Sequence, residues 1–577
     1  MATRLATYVV VGIVAVTLIA GLMVGAQRDD VEGPIDLIVF NGKLYTADSS
    51  GSVAEAVAVR GNQILRVGSN REINRLRRPQ TEVIDARGAA ILPGFNDAHV
   101  QFLRGAVGLD EIDLLDAASL DEVEMRIRTW AAGNPDRPWV LGRGWTQGLF
   151  GGNAPTRRML DAIVPDRPAQ LVSADGRSSW VNSRALALAG VTKRTPNPAD
   201  GIIAREARSG EPSGVLTDQA LALVEALVPQ PDGEQKRRAL HSAIAEAHRL
   251  GITSIHDATD GAVDARLYEE AVRSGDLNLR VYLSMPVRGG GSEADLRELD
   301  ALSSRYPDDP LLKAGAARIT VDGSLESGSA ALIEPSPERQ ASTTTGKAPS
   351  ISPDDLNRAV RLLDARGLQV MAEASGDRGV RMALDAFTHA ARSNPPISRG
   401  RRHRIERVGL VDDLDLSRFG LLGVIASMQP FLGSPTAERT EAWIRSAGAA
   451  QTFRYGSLSG RGGRVVFGSG WPAAPLNPMA AIHVAVNRTT LAGTPANGWQ
   501  PAERLPLKRA IDAWTSGPAY ASFDEQRKGS LKPGMLADLV VLSSDIFMLP
   551  PSRLGATVVA FTVFDGKVVY RRGKSSD

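Results

Sequence analysis

Residues 92–102 read Leu-Pro-Gly-Phe-Asn-Asp-Ala-His-Val-Gln-Phe. An apolar run, Ala89 to Leu92, enters Pro93-Gly94, and Asp97, His99 and Gln101 then follow at alternate positions. On an extended strand, residues i and i+2 face the same side. Two histidines at 99 and 101 would grip one metal ion from one face. Imidazole is a strong ligand for zinc-type ions and a carboxamide a weak one, so Gln101 leaves half a chelate. The chain has seven histidines in all: His99, His241, His248, His256, His389, His403 and His483. His241 and His248 lie seven apart on a predicted helix, about 10 Å of rise, too far to share an ion. They read as surface or packing residues. His256 follows Thr253-Ser-Ile beside Asp257 and is expected to face an open strand end. With no cysteine in the chain, thiolate ligands, disulfides and a cysteine nucleophile are excluded. No Gly-x-Ser-x-Gly elbow occurs between a strand and a helix.

The elements that must position these groups alternate. Gly251-Ile-Thr-Ser-Ile255, Arg318-Ile-Thr-Val321, Leu368-Gln-Val-Met371, Gly423-Val-Ile-Ala-Ser427 and Val465-Val-Phe467 read as short strands. Gln235–Arg249 and Pro353–Arg366 read as helices. Such βα repetition favours a parallel barrel or a doubly wound sheet. The two ends of the chain are β-rich instead. Asn41-Gly42 after Ile35–Phe40, and Asp565-Gly566 after Val558–Phe564, are hairpin signals. One small β domain assembled from both termini is expected. Asp538 within it reads as a structural residue. Residues 289–291 and 335–352 are expected to be loops.

At 577 residues the chain is long enough for two or three domains. Hydrophobic content of 43% and charged content of 23% suit a folded globular protein. A net charge of +2, with no basic stripe, P-loop or dinucleotide fingerprint, argues against nucleic acid. Arg4 precedes the apolar stretch Tyr8–Ala26, and Arg28-Asp29-Asp30 follows it. That length just spans a bilayer. The segment reads as an N-terminal membrane anchor, with a signal peptide cleaved near Val24-Gly25-Ala26 as the alternative. Both place the body outside the cytoplasm, periplasmic or at the cell surface.

The ordered series Leu92-Pro-Gly-Phe-Asn-Asp-Ala-His99, Gly144-Trp145, Trp180-Val-Asn-Ser-Arg-Ala-Leu186 and Gly251-Ile-Thr-Ser continues with Asp322-Gly-Ser-Leu, Gly376-Asp-Arg, Arg404-Ile-Glu406 and Ser427-Met-Gln-Pro430. Gly468-Ser469 before Trp471-Pro472, Gly529–Gly534 and Ala537-Asp538-Leu complete it. It resembles the amidohydrolase superfamily, in the branch of N-substituted formamide deformylase-like proteins. The resemblance implies an α/β fold: a distorted (β/α)8 TIM-like barrel, a composite β-sandwich from both termini, and an insertion domain. The expected boundaries are 1–30 for the N-terminal segment, 31–90 plus 525–577 for the sandwich, and 91–524 for the barrel, with the insertion at 105–235. It also implies hydrolysis of non-peptide carbon–nitrogen bonds by water activated on zinc or another divalent metal.

The implied metal positions are largely substituted. His99 remains. Its partner is Gln101, Arg318 stands for a bridging lysine, Glu373 and Arg407 stand for histidines, and Gly470 stands for the catalytic aspartate. Arginine stays cationic and cannot replace a carbamylated lysine. Arg177 takes the place of a substrate-contacting histidine, and Trp145, Trp180 and Trp471 are expected at the barrel rim. Several readings stay open. One is a metal-deficient relative with weak or no hydrolase activity, its site filled by ion pairs of Arg318, Arg407 and Arg177 with Asp97, Asp322 and Glu373. Another is a noncatalytic binder or scaffold for an anionic small molecule held by those arginines, with the tryptophans as walls. A third is an atypical hydrolase with one metal or none, using Asp322 or Glu373 as base. A homo-oligomer is compatible with each.

Overall fold

The computed structural model describes residues 34–573 except 49–50, 116, 152, 175, 200, 260, 289, 326–328, 334–348, 437–439 and 441–450. The apolar segment 8–26 and most of the expected loop at 335–352 lie outside the described residues. Among those described, no helix is long and apolar enough to cross a membrane.

Eight strands form one all-parallel sheet: β1 (Phe95–Val100), β2 (Ile252–Ala258), β3 (Arg280–Pro286), β4 (Leu312–Thr320), β5 (Gln369–Glu373), β6 (Arg404–Glu406), β7 (Ile425–Met428) and β8 (Arg464–Phe467). Each pairs with its neighbour in chain order. Just beyond β8 the chain closes on β1: Gly470 N donates to His99 O at 2.9 Å, and Gln101 N to Trp471 O at 2.9 Å. The approach needs glycine at 468, where an added Cβ would lie 2.5 Å from His99 N. This is the distorted (β/α)8 barrel.

Helices cover the barrel because their apolar residues recur at helical spacing. Helix Gly233–Arg249 starts at an Asp232–Gln235 capping box and buries Leu240, Ala243, Ile244 and Ala247. His248 is buried on it with Nε2 2.7 Å from Asn278 O, while His241 is exposed. Helix Pro353–Ala365 has Ser352 as its N-cap and buries Leu356, Ala359, Val360 and Leu363.

The termini build two packed sheets. One combines Lys43–Tyr45, Val53–Ala54 and Ala90–Pro93 with Leu539–Leu542, Val559–Phe564 and Lys567–Arg571. The other holds Leu37–Phe40, Ala56–Arg60, Gln63–Gly68 and Glu82–Asp85. Val39, Leu44, Val57, Ile91, Leu539 and Val541 share the core between them. Asp565 (φ 51°) and Gly566 (φ 80°) make the expected two-residue hairpin. Asn41-Gly42 does not. Leu37–Phe40 and Lys43–Tyr45 belong to different sheets, so the dipeptide carries the chain across the sandwich. Only Asn41 has positive φ. Gly42 is there for space, since a Cβ would sit 2.4 Å from Ile91 Cδ1.

Between β1 and β2 an insertion forms its own six-stranded sheet from Ile112 to Asp218. Trp145 and Trp180 sit in its core on either side of Phe150, with ring centroids 5.8 and 5.3 Å away. Their indole N–H groups donate to Leu171 O at 2.7 Å and Thr156 O at 2.8 Å. They are insertion core rather than walls of the barrel rim, because rings of that size fill the space between sheet and helix. Trp471 is also core: it packs edge-on against Phe102 at 5.7 Å, and Gly105 lies under its ring.

Candidate functional site

The C-terminal strand ends bring His99, Glu373 and Glu406 into the barrel mouth. His99 Nδ1 lies 3.0 Å from Glu406 Oε2, and Arg404 Nε lies 2.6 Å from Glu406 Oε1. Arg404 and Glu406 are fully buried. Two residues apart on β6, they turn to the same side. Burial raises the Glu406 pKa, but Arg404 and then His99 outweigh it, and the carboxyl is held down at about 2. Arg404 also donates to Ala98 O at 2.6 Å and lies 2.7 Å from His256 Nδ1. A guanidinium only donates, so His256 Nδ1 accepts and the ring is neutral there. Burial first, then Arg404, drives the His256 pKa well below its usual value. His256 is thus buried inside the barrel against Arg404, not open at its mouth.

A second pair lies on the neighbouring strands. Arg318 NH1 is 3.3 Å from Glu373 Oε2, Arg318 NH2 donates to Thr259 O at 2.9 Å, and Thr320 Oγ1 donates to Glu373 Oε2 at 2.8 Å. Burial works to raise the Glu373 pKa, yet Arg318, His99 and Arg407 together lower it. Arg407, at φ 61°, acts on Glu373 and Asp322 through its charge.

The remaining acids are held by backbone rather than by arginine. Asp97 accepts from His99 N at 3.1 Å and Ser469 N at 2.9 Å, and burial pushes its pKa to about 6. Asp322 accepts from Ser375 N, Ala331 N and Gly376 N at 2.8–2.9 Å. Burial raises it to about 6. Three amides from two segments make Asp322 a staple of the strand-end loops, so it does not serve as a free base. Arg177 stands apart on the insertion sheet, its Nε 2.8 Å from Asp218 Oδ1. It joins neither Arg318 nor Arg407, because the strands from Ile112 to Asp218 form a sheet of their own.

Arg404 and Glu406 are the site residues that motif reading passed over. Their signal was available: opposite charges two apart in a short strand must face one another's side of a closed barrel. His403 has a structural role instead, with Nε2 3.1 Å from Asp364 Oδ1.

The donor set does not fit a hydrolytic metal centre. One face of His99 is taken by Glu406, Gln101 offers a carboxamide, Arg318 and Arg407 offer only donors, and Gly470 has no side chain. Among the described residues no three His, Cys, Asp or Glu side chains converge as a metal site would require. Restoring an acid at 470 would meet a backbone at φ 71° and Gln429 Cγ 3.2 Å from the new Cβ.

Comparison with known proteins agrees with the fold. The model of the amidohydrolase family matches residues 82–570. Protein LONG AFTER FAR-RED 3 of Arabidopsis thaliana is 31% identical over 549 residues, covering 93% of this chain and 91% of that protein. N-substituted formamide deformylase of Arthrobacter pascens is 28% identical over 549 residues, covering 93% and 98%. The crystal structure of an uncharacterized metal-dependent hydrolase from Pyrococcus horikoshii superposes with a TM-score of 0.69 at 22% identity, covering 89% of this chain and 99% of that one. The matched motifs, the eight-stranded barrel and these relatives together place the chain in the amidohydrolase family.

Proposed function

We propose that this amidohydrolase-fold protein carries out little or no metal-assisted hydrolysis of non-peptide carbon–nitrogen bonds. The observation that carries this reading is the ion-pair chain His99–Glu406–Arg404, with Arg318–Glu373 beside it, which engages His99, Arg318 and Glu373, three of the positions at which the family resemblance implies metal ligands. Two charge pairs already satisfy the buried carboxylates that a cation would otherwise neutralise. Full-length protein is purified without chelator and its zinc, manganese, iron and nickel are measured, alongside turnover of N-substituted formamides with and without added metal. Metal far below one per chain and no turnover are expected. Near-stoichiometric metal that disappears in His99→Ala would overturn the reading.

A second reading, a noncatalytic binder of small anions, is favoured by a recess at the mouth lined by Arg288 and Arg318. For location we propose an extracytoplasmic body held by residues 8–26 or released after cleavage. The mass of the mature chain and its partition between membrane and soluble fractions test this. A homo-oligomer is proposed alongside it and is tested by native mass.

A further inference from the structure

Resting on the binder reading, we infer that the recess where β3 and β4 end is a site for a small monocarboxylate with an apolar body. The recess encloses about 350 Å³, and among the described residues no aspartate or glutamate lines it. Its polar lining is Arg288, Arg318, Thr320 and Ser350, and its walls include Val287 and Ile351.

Arg318 is only 9% exposed, and among the described residues its Nε–H has no hydrogen-bond partner although its other nitrogens are engaged. A buried guanidinium with an idle donor is a defect unless something completes it. Arg288 is exposed and makes no side-chain hydrogen bond or ion pair among the described residues. Among the described residues, Glu373 is the one carboxylate paired with these two guanidinium groups, so there the pair of arginines leaves one positive charge over. A single carboxylate would balance it, with two parallel N–H···O bonds available from the fork of Arg288. Ser350 sits at the edge, exposed, with its backbone N–H tied to Val321 O at 2.8 Å.

Size and lining decide the rest of the ligand. The volume falls at the small end of the roughly 300–1,000 Å³ typical of small-molecule sites. A dianion such as phosphate would need a second disengaged cation, and it would leave Val287 and Ile351 uncovered. An acid of the size of phenylacetate or octanoate meets both requirements.

Calorimetric titration of the full-length protein with phenylacetate, octanoate, phenylacetamide and inorganic phosphate tests this. Both acids should bind, and phenylacetamide should bind at least tenfold more weakly. Affinity for the acids should fall with added salt. Arg288→Ala should weaken the acids at least tenfold, and it removes no internal contact that folding needs. Ser350→Ala should weaken them by a few-fold. Acid binding unchanged in Arg288→Ala would overturn this site and leave the binder reading standing elsewhere on the molecule. Phosphate binding tighter than either acid would overturn the assignment of ligand class. No binding by any of the acids or phosphate would overturn both the site and the binder reading.

Discussion

The two ends of the barrel handle buried charge in different ways. At the N-terminal floor, Arg280 makes a bidentate pair with Asp538, Nε to Oδ2 at 2.6 Å and NH2 to Oδ1 at 3.0 Å. It adds Asp565 at 2.8 Å and Pro310 O at 3.1 Å. Nearby, Lys313 bonds Asp524 at 2.9 Å and Ser522 O at 2.7 Å, and Lys528 reaches Ser254. These contacts bolt the sandwich and the C-terminal segment to the barrel. At the mouth, Arg404–Glu406 pairs within one strand while His99–Glu406 and Arg318–Glu373 run between barrel strands, and Arg318 keeps an unused donor among the described residues. Conserving stability at the floor and leaving the mouth incompletely satisfied is the division of labour expected of a β/α barrel. The difference teaches that the charged residues at the mouth are not arranged as a second floor.

The comparison is tested first at the floor. Arg280→Met strands Asp538 in a buried site and should cost about 3–5 kcal/mol of unfolding free energy, read by denaturant titration. A loss under about 1 kcal/mol would mean that the sandwich is not held by this pair. At the mouth, Glu406→Gln should cost about 2–3 kcal/mol by leaving Arg404 unpaired. Arg404→Met combined with it should cost less than the sum of the two singles, and strict additivity would deny that they act as a pair.

Titration separates the two kinds of acid in the mouth. Burial raises Asp97 to about 6, Asp257 to about 7 and Asp322 to about 6, from an ordinary 3.8. The folded state therefore holds more protons than the unfolded chain between about pH 4 and 7, and these three groups make stability fall as pH rises through that window. Glu406, lowered to about 2, contributes oppositely: its share is present above about pH 4.5 and is lost as pH falls toward 2. Asp257 accepts from Phe102 N at 2.8 Å and Tyr268 OH at 2.7 Å. Asp257→Asn should flatten the fall in melting temperature between pH 5 and 8. An unchanged slope would assign the titration elsewhere.

The smallest effects are expected where the half-chelate is repaired. Gln101→His alone should shift stability by less than about 0.5 kcal/mol and create no turnover of N-substituted formamides. Gly470→Asp should cost about 1 kcal/mol, because a side chain is forced onto a left-handed backbone. Turnover from either single change would show that the mouth still holds a working metal site.

Much of this was legible without coordinates. The alternation of strands and helices and the Asp565-Gly566 hairpin follow from local spacing and side-chain chemistry, whereas the substitutions read at 101, 318, 407 and 470 are what the family resemblance implies. Asn41-Gly42 misled because a turn signal specifies a local bend, not which sheets the bend connects. Trp145, Trp180 and Arg177 misled because motif order says nothing of which core a residue enters once an insertion folds on its own sheet.

By itself the sequence determined the alternating strands and helices and which residue types stand at 99, 101, 318, 373, 407 and 470, since both are matters of residue type and periodicity. Only the tertiary structure decided that Glu406 meets His99, that His256 is buried against Arg404 inside the barrel, and that Arg318 and Arg288 share a recess. Those pairings join strands separated by tens to hundreds of residues. Burial sets their strength, because a charge withdrawn from water must find its partner in space, wherever along the chain that partner lies.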